Sequence, residues 1–512
     1  MKKRTTALLL ALLMLLLTGC SNWDTNEWDD PLRDLTDFYD KGEEKTPVLT
    51  SFSLPYFSNQ TLDPVSCPDG AHQTLGALLY EGLITLDPQF QVQNTLAQGY
   101  TYDAATFTYT IQIQNGVLFS DGTHLSAYDA ADALQRARSS ERYRDRLASV
   151  KEVYALNSDT LHLTLKQDNR AFMARLDIPI VKSGTENDLI PIGTGAYCWS
   201  TDDGAHLIPN PHWWQGKALP LNRIELLDCR NTDTMVYSFY AQEIQLLSLD
   251  LTGTNTVSVS GSGNYTDADT TVMQYIGLNT AREPFNNVAL RQALNLGIDR
   301  VGAINAYLLG HAKAAQYPVS ADSALYPKDL ETAFSPDYFA SAMTTAGYGK
   351  GEEHAVTMIV NEENTFKVSM AQELAKELSR YDLKVTVSAL PWDRYLRALQ
   401  TGSFDMYLGE VKLTADWDIS PLVLPDGALN YGHYSNENTT KLLSDYLATS
   451  GDVEQAKAMS ALCQNLSAQA PFLPICFKTS SVLLPSGAVE NVIPTASNPF
   501  YNVSDWHVNL SK

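Results

Sequence analysis

The sequence predicts an α/β protein, and three patterns carry that prediction. In the first half, Phe107, Tyr109, Ile111 and Ile113 alternate with Thr108, Thr110 and Gln112, and Leu161, Leu163 and Leu165 repeat the alternation. A period of two places the apolar set on one face of a sheet. In the second half the rhythm changes. Residues 356–360 form a β-branched run, 366–380 read as a helix with Leu374 and Leu378 in register, Val385, Val387 and Ala389 alternate, and 392–401 read as a helix again. Strand–helix–strand–helix order argues a parallel or mixed sheet covered by helices. Between the halves, residues 252–266 are rich in Ser, Thr, Gly and Asn, a composition that marks a boundary.

The elements follow in chain order. Met1-Lys2-Lys3-Arg4 is a basic head, residues 7–17 are almost wholly apolar, and Leu17-Thr18-Gly19-Cys20 ends the run with small residues and a cysteine. That order makes an export signal over 1–20. The apolar run is shorter than the roughly 20 residues a membrane-spanning helix needs. Residues 21–46 form an acidic tether, with nine Asp and Glu against Arg33, Lys41 and Lys45 and few aliphatics to bury. Trp23, Trp28, Phe38 and Tyr39 in this stretch are candidates to dock on the body. The body starts near Pro47. A strand is expected over 48–55, a loop at Thr61-Leu62-Asp63-Pro64, a helix over 73–80, and a strand with a turn over 82–87. Asn115-Gly116 closes the first alternating strand as a turn. Ser126-Ala127-Tyr128-Asp129 has the spacing of a capping box opening a helix to about Arg138.

Length and charge bound the function classes. A chain of 512 residues is expected to form more than one domain. The formal charge is −23, and loss of the three cations Lys2, Lys3 and Arg4 with the signal leaves −26. Such a body repels nucleic acid and anionic headgroups and attracts cationic solutes at long range. Six cysteines, Cys20, Cys67, Cys198, Cys229, Cys463 and Cys476, contain no C-x-x-C pair, so zinc-finger and thioredoxin readings fail. Cys198 with Cys229 and Cys463 with Cys476 are candidate pairs, and buried free thiols are the equal alternative. The sequence contains no G-x-S-x-G, H-E-x-x-H or G-x-x-x-x-G-K-[ST] motif, and its nine histidines stand at no i, i+4 spacing. These patterns argue against an enzyme, and no cofactor or dedicated metal site is expected.

Several blocks carry a family resemblance. They are Thr61-Leu62-Asp63-Pro64, Tyr80-Glu81-Gly82-Leu83, Phe107-Thr108-Tyr109-Thr110-Ile111, and Asn115-Gly116 with Val117 through Thr123. Later come Pro191-Ile192-Gly193-Thr194-Gly195-Ala196-Tyr197, Asn210-Pro211-His212-Trp213-Trp214, and Gly277-Leu278-Asn279-Thr280. Pro284-Phe285, residues 288–300, Tyr434-Ser435-Asn436 and Ala470-Pro471-Phe472-Leu473-Pro474-Ile475 complete the series. Their joint order resembles the family 5 solute-binding proteins of ABC importers, the oligopeptide, dipeptide and nickel binders. Leu17-Thr18-Gly19-Cys20 likewise resembles the bacterial lipobox, which implies cleavage before Cys20 and a diacylglycerol on its sulfur. The resemblance implies a periplasmic-binding-protein-like fold of two lobes around a cleft, with an extra N-terminal subdomain. Lobe I would hold 47–269 plus 479–512, with the subdomain at about 75–182, and lobe II would hold 270–478. The implied protein is a monomeric lipoprotein on the outer face of the cell membrane. It would capture a peptide and deliver it to permease and ATPase subunits. An oligosaccharide or a nickel or other metal chelate is the alternative ligand on the same fold.

The same resemblance points to a site. In the family's peptide binders an Asp shortly after the last strand–helix–strand unit pairs with the peptide ammonium. Here Phe404-Asp405-Met406-Tyr407-Leu408-Gly409 is that strand, and Ala415-Asp416-Trp417-Asp418 resembles the family's Ala-Asp-aromatic step, which transfers the role to Asp416. Helix capping or a surface ion pair is the competing role for an Asp. The chain departs from the family where a Gly-Trp step is common: it carries Gly409-Glu410-Val411-Lys412-Leu413-Thr414. Glu410 and Lys412 are then candidates for a zwitterion's termini, or members of an internal ion pair. Trp417, Tyr431 and Trp392 are candidates to wall the pocket; for Trp392 core packing is the favoured role.

Overall fold

A computed structural model describes residues 48–511 apart from Asp69 and residues 255–262. The predicted signal, Cys20, the acidic tether and most of the expected boundary loop lie outside the described residues.

Three large sheets organise the chain. In the first, Ser53–Tyr56 runs parallel to Ile224–Asp228, and His206–Pro209 and Tyr197–Ser200 continue it antiparallel. The strand expected over 48–55 is therefore shorter at its start. Leu49 instead bridges to Leu510, its N–H donating to the Asn509 carbonyl at 2.8 Å, so the chain's tail takes the backbone groups a longer strand would have paired.

The second sheet is antiparallel, in the order Ala97–Asp103, Thr108–Ile113, Thr160–Leu165, Val150–Ala155. Tyr109, Ile111, Ile113, Leu161, Leu163 and Leu165 are all buried, as period-two alternation requires. The helix Ala127–Ser139 brings Ala130, Ala133, Leu134 and Ala137 into the same core. Its start is the expected capping box: the Ser126 N–H donates to Asp129 Oδ2 at 3.0 Å.

The third sheet has seven strands. Its path runs Leu247–Leu249, Phe472–Pro485, Gly263–Leu278, Met406–Lys412, His354–Asn361, Leu383–Leu390, and Ala312–Ala314 also pairs with Phe472–Pro485. His354–Asn361 lies parallel to both Leu383–Leu390 and Met406–Lys412, with helices Thr365–Leu378 and Trp392–Gln400 in the crossovers. This is the mixed arrangement the strand–helix order predicts. Gly263–Leu278 and Phe472–Pro485 run antiparallel for most of their length. Asp269 stands opposite Thr479, and the pairing becomes irregular before it resumes at Met273 opposite Phe477. The described residues from Val48 onward form a single compact unit.

Three of the blocks noted in the sequence converge on one carboxylate. Glu81 Oε2 accepts from Trp214 Nε1 and Thr194 Oγ1, each at 2.9 Å, while Oε1 accepts from Gln215 Nε2 at 3.2 Å and Trp213 Nε1 at 3.4 Å. Beside it, a Cβ on Gly193 would stand 2.2 Å from the Leu79 carbonyl oxygen, and one on Gly195 would stand 2.3 Å from that of Leu78. Only glycine lets this segment lie against the end of helix Ala71–Leu79. All five described cysteines are free thiols, so neither candidate disulfide is formed. Burial pushes the Cys476 thiol up to about 12.

Candidate functional site

The strand Met406–Lys412 delivers the chain to a tight step at 413–418. Trp417 has φ 52°, in the left-handed region, and its N–H donates to the Thr414 carbonyl at 2.9 Å. A non-glycine residue held there costs on the order of 1–3 kcal/mol and persists only where its surroundings enforce it. They do: Trp417 is 1% exposed, edge-on to Phe90 at 5.1 Å and to Phe477 at 5.6 Å between ring centroids. The Tyr446 hydroxyl also donates to the Asp416 carbonyl oxygen at 2.7 Å. The aromatic predicted to wall a pocket is thus a core anchor that fixes the residue before it.

Asp416 is buried, and its side chain is 0% exposed. Oδ2 accepts from Asn169 Nδ2 and from Arg175 Nε, each at 2.7 Å. Arg175 Nη2 reaches Asp418 Oδ2, also at 2.7 Å, and Nη1 donates to the Arg146 carbonyl at 3.2 Å. Arg146 in turn pairs with Asp177. Burial alone would lower the Arg175 pKa, but Asp416 and Asp418 more than offset it and hold it above its ordinary value. Partial burial, with Arg175 beside it, lowers Arg146 to about 10. The role left open between capping and a surface pair is neither: Asp416 sits in a buried ion cluster.

Hydrogen bonding in the cluster is incomplete, at Arg146 Nε and, on the carboxylate itself, at Asp416 Oδ1. Asp416 Oδ1 is buried and accepts no hydrogen bond among the described residues. A buried polar atom without a partner costs about 1–3 kcal/mol, more when charged. A donor reaching this oxygen, above all a cationic one, would remove that cost. Asn169, Arg175 and Asp418 were not singled out in the sequence; nothing in their local spacing marks them.

The other candidates lie in different surroundings. Glu410 accepts from Gln274 Nε2 at 3.1 Å and pairs with Lys367 at 3.1 Å and Lys478 at 3.7 Å. Burial would raise its pKa, yet Lys367 and Lys478 keep it below the usual value. Lys478 is 3% exposed and also binds Asp250 at 2.5 Å. Glu410 thus belongs to an internal ion-pair network. Lys412 is exposed and faces Val272 across the ladder. Tyr431 is half-buried, edge-on to Tyr407 at 6.2 Å. Trp392 corrects its favoured role: it is 53% exposed. It opens helix Trp392–Gln400, beyond the edge of the core that takes Tyr395 and Leu399, and lies 5.9 Å from the Tyr395 ring.

Residues 91–426, more than half of the chain, match the family described as bacterial extracellular solute-binding proteins, family 5 Middle. The chain belongs to this family. As a family 5 protein it has the α/β fold of the periplasmic binding proteins and is the solute-binding component of an ABC importer, working with permease and ATPase subunits. This family 5 chain is 26% identical over 445 residues to the glutathione-binding protein GsiB of Escherichia coli K12, covering 81% of this chain and 86% of that protein. Its fold matches the periplasmic murein tripeptide binding protein MppA in an unliganded open form, with TM-score 0.75, 17% identity, and coverage of 90% of this chain and 98% of that one. It also matches NikZ of Campylobacter jejuni, solved with Ni(L-His), with TM-score 0.62, 18% identity, and coverage of 90% and 99%. Such neighbours differ in what their names say they bind, so the fold does not choose a ligand and the site must. No helix among the described residues is long and apolar enough to cross a membrane.

Proposed function

We propose that this chain is a lipoprotein on the outer face of the cell membrane that captures peptides with a free amino terminus and passes them to its permease. The observation that carries the reading is Asp416 Oδ1, a buried carboxylate oxygen with no donor among the described residues. A peptide ammonium placed there supplies both the missing hydrogen bond and a counter-charge. The glutathione-binding relative and the tripeptide-binding neighbour support a small peptide as the ligand class.

The reading also assigns the halves. Lobe I takes 47–269 and 479–512, with the subdomain at about 75–182, and lobe II takes 270–478. Two facts support it. The proposed crossings, Asp269 and Thr479, lie opposite each other where strand pairing becomes irregular. The contacts of Asn169 and Arg175 with Asp416 join one proposed lobe to the other. Closure on a ligand would then bring Asn169 and Arg175 of one lobe onto Asp416 Oδ2 of the other, leaving Oδ1 for the ligand.

The test is a thermal-shift series on the purified protein in detergent micelles, with trialanine, N-acetyl-trialanine, glutathione, maltotriose and nickel with histidine. Binding to the folded state raises the melting temperature. Trialanine and glutathione are expected to raise it, the acetylated peptide much less, and Asp416→Asn is expected to abolish the difference. A shift with maltotriose or nickel–histidine alone would overturn the peptide reading in favour of a sugar or a chelate. Equal shifts for trialanine and its acetylated form would remove Asp416 from the ammonium role.

A further inference from the structure

We propose that Arg175 sets the charge of the ligand group that Asp416 receives, limiting it to a single positive charge. The inference rests on Asp416 being the ligand carboxylate. Its own ground is the composition of the buried cluster. Asp416, Asp418 and Asp177 supply three carboxylates, and Arg175 and Arg146 supply two guanidiniums. The neighbouring Arg170–Asp168 pair, 3.6 Å apart, balances itself. The cluster is therefore one positive charge short of neutral, and a buried ionic group is stable only when compensated.

The geometry says where that charge goes. Arg175, with a side chain 6% exposed, spans Asp416 and Asp418 at 2.7 Å each and lies over the Phe172 ring at 5.2 Å, so it cannot swing aside cheaply. Asn169 Nδ2 holds Asp416 Oδ2 at 2.7 Å, and Asn169 Oδ1 accepts from the Ala171 N–H at 3.0 Å, which fixes the amide's orientation. Oδ2 is thus occupied and Oδ1 is the remaining acceptor. One ammonium on Oδ1 neutralises the cluster. A second cation at the same end of the ligand meets the Arg175 guanidinium with no carboxylate left over, and like charges repel strongly in so dry a place. Arg175 is in this sense a specificity-determining residue: it consumes carboxylate capacity that would otherwise accept a dication.

The test is calorimetric titration of the full chain in micelles with three probes: trialanine, N-acetyl-trialanine, and 2,4-diaminobutyryl-alanyl-alanine, whose second ammonium sits close to the first. Wild type is expected to bind trialanine at least tenfold more tightly than the diamino peptide. Arg175→Gln is expected to shift that ratio at least tenfold toward the diamino peptide, and Arg175→Lys to restore it. Because Arg175→Gln leaves two buried carboxylates and risks misfolding, Asp418→Asn is the second variant. It keeps Asp416 and Arg175 but makes the cluster neutral, so trialanine should lose at least tenfold in affinity while the acetylated peptide does not change. A ratio unmoved in folded Arg175→Gln, or trialanine affinity unmoved in Asp418→Asn, overturns the proposal. If wild type discriminates amine from acetyl yet neither variant moves the charge preference, this inference fails and the Asp416 reading stands. If wild type does not discriminate, or trialanine does not bind, both fail.

Discussion

Two buried carboxylates in this chain are treated in opposite ways, and the contrast separates structure from function. Glu81 has both oxygens met, by two indole N–H groups, an amide and a hydroxyl. Burial raises its pKa, and the four donors offset part of that rise. Asp416 has one oxygen met and one bare. The first pattern holds segments together; the second, on the proposed reading, receives the ligand. A substitution shows how specific the Glu81 cage is. Indole N–H groups only donate, and each Glu81 oxygen faces one of them. Whichever way the new amide turned in Glu81→Gln, its NH2 would face a Trp N–H. The variant is expected to lose about 1–3 kcal/mol, the cost of an unmet buried donor. Urea unfolding monitored by tryptophan fluorescence measures this, and an unchanged midpoint would show that the cage contributes nothing net. Gly193 makes the same point in steric terms, since a methyl there meets the Leu79 carbonyl oxygen at 2.2 Å.

At the scale of elements, Asp269 on the long strand Gly263–Leu278 forms an acid pair with Asp322 of a turn, beside the point where the strand's pairing with Phe472–Pro485 becomes irregular. Lys313 Nζ binds Asp269 at 2.7 Å and also contacts Asp322. Burial, reinforced by the hydrogen bond with Asp322, pushes Asp269 up to about 7, while that same bond from Asp269 holds Asp322 below its usual value. The sign follows from proton counting. Between about pH 4 and about pH 7 the folded chain keeps a proton on Asp269 that the unfolded chain has released, so this group's contribution to stability falls as pH rises through that window. Asparagine cannot lose that proton. Asp269→Asn is therefore expected to melt above wild type when the pH exceeds about 7, with the advantage vanishing near about pH 4. Scanning calorimetry across this range checks it, and a pH-independent difference between the two proteins would count against the shared proton. These strands also show what could be read from sequence. The units over 354–412 were legible because apolar spacing is a local property and repeats within each element. The start of Ser53–Tyr56 was not, because where a strand begins depends on its partners. Of residues 48–56 only 53–56 pair with Ile224–Asp228, and the tail captures Leu49.

For the whole molecule, the division between legible and illegible falls at contact range. Asp416 drew attention because Ala415-Asp416-Trp417-Asp418 resembles a family step after its strand, but its partners Arg175 and Asn169 stand 241 and 247 residues earlier, and no periodicity links positions so far apart. Trp417 was readable as an aromatic near the site but not as a core anchor, since burial is decided by Phe90 and Phe477, which other segments supply. Whole-molecule charge leads to the last prediction. Without its three N-terminal cations the chain carries −26, which repels anionic headgroups. Electrostatics therefore gives this body no hold on anionic headgroups, and the proposed lipoprotein reading assigns retention to apolar anchorage. A lipid on Cys20 would supply it, at about 0.8 kcal/mol per buried methylene, and two or three chains suffice for firm attachment. The wild-type chain expressed in a bacterial host is expected to take up labelled palmitate and to sediment with membranes at low and high salt alike. Cys20→Ala should take up no label and leave the membrane fraction while its body still folds and binds. Release of the wild type by salt, or membrane retention of Cys20→Ala after its signal is removed, would mean that something other than a lipidated cysteine holds the protein in place.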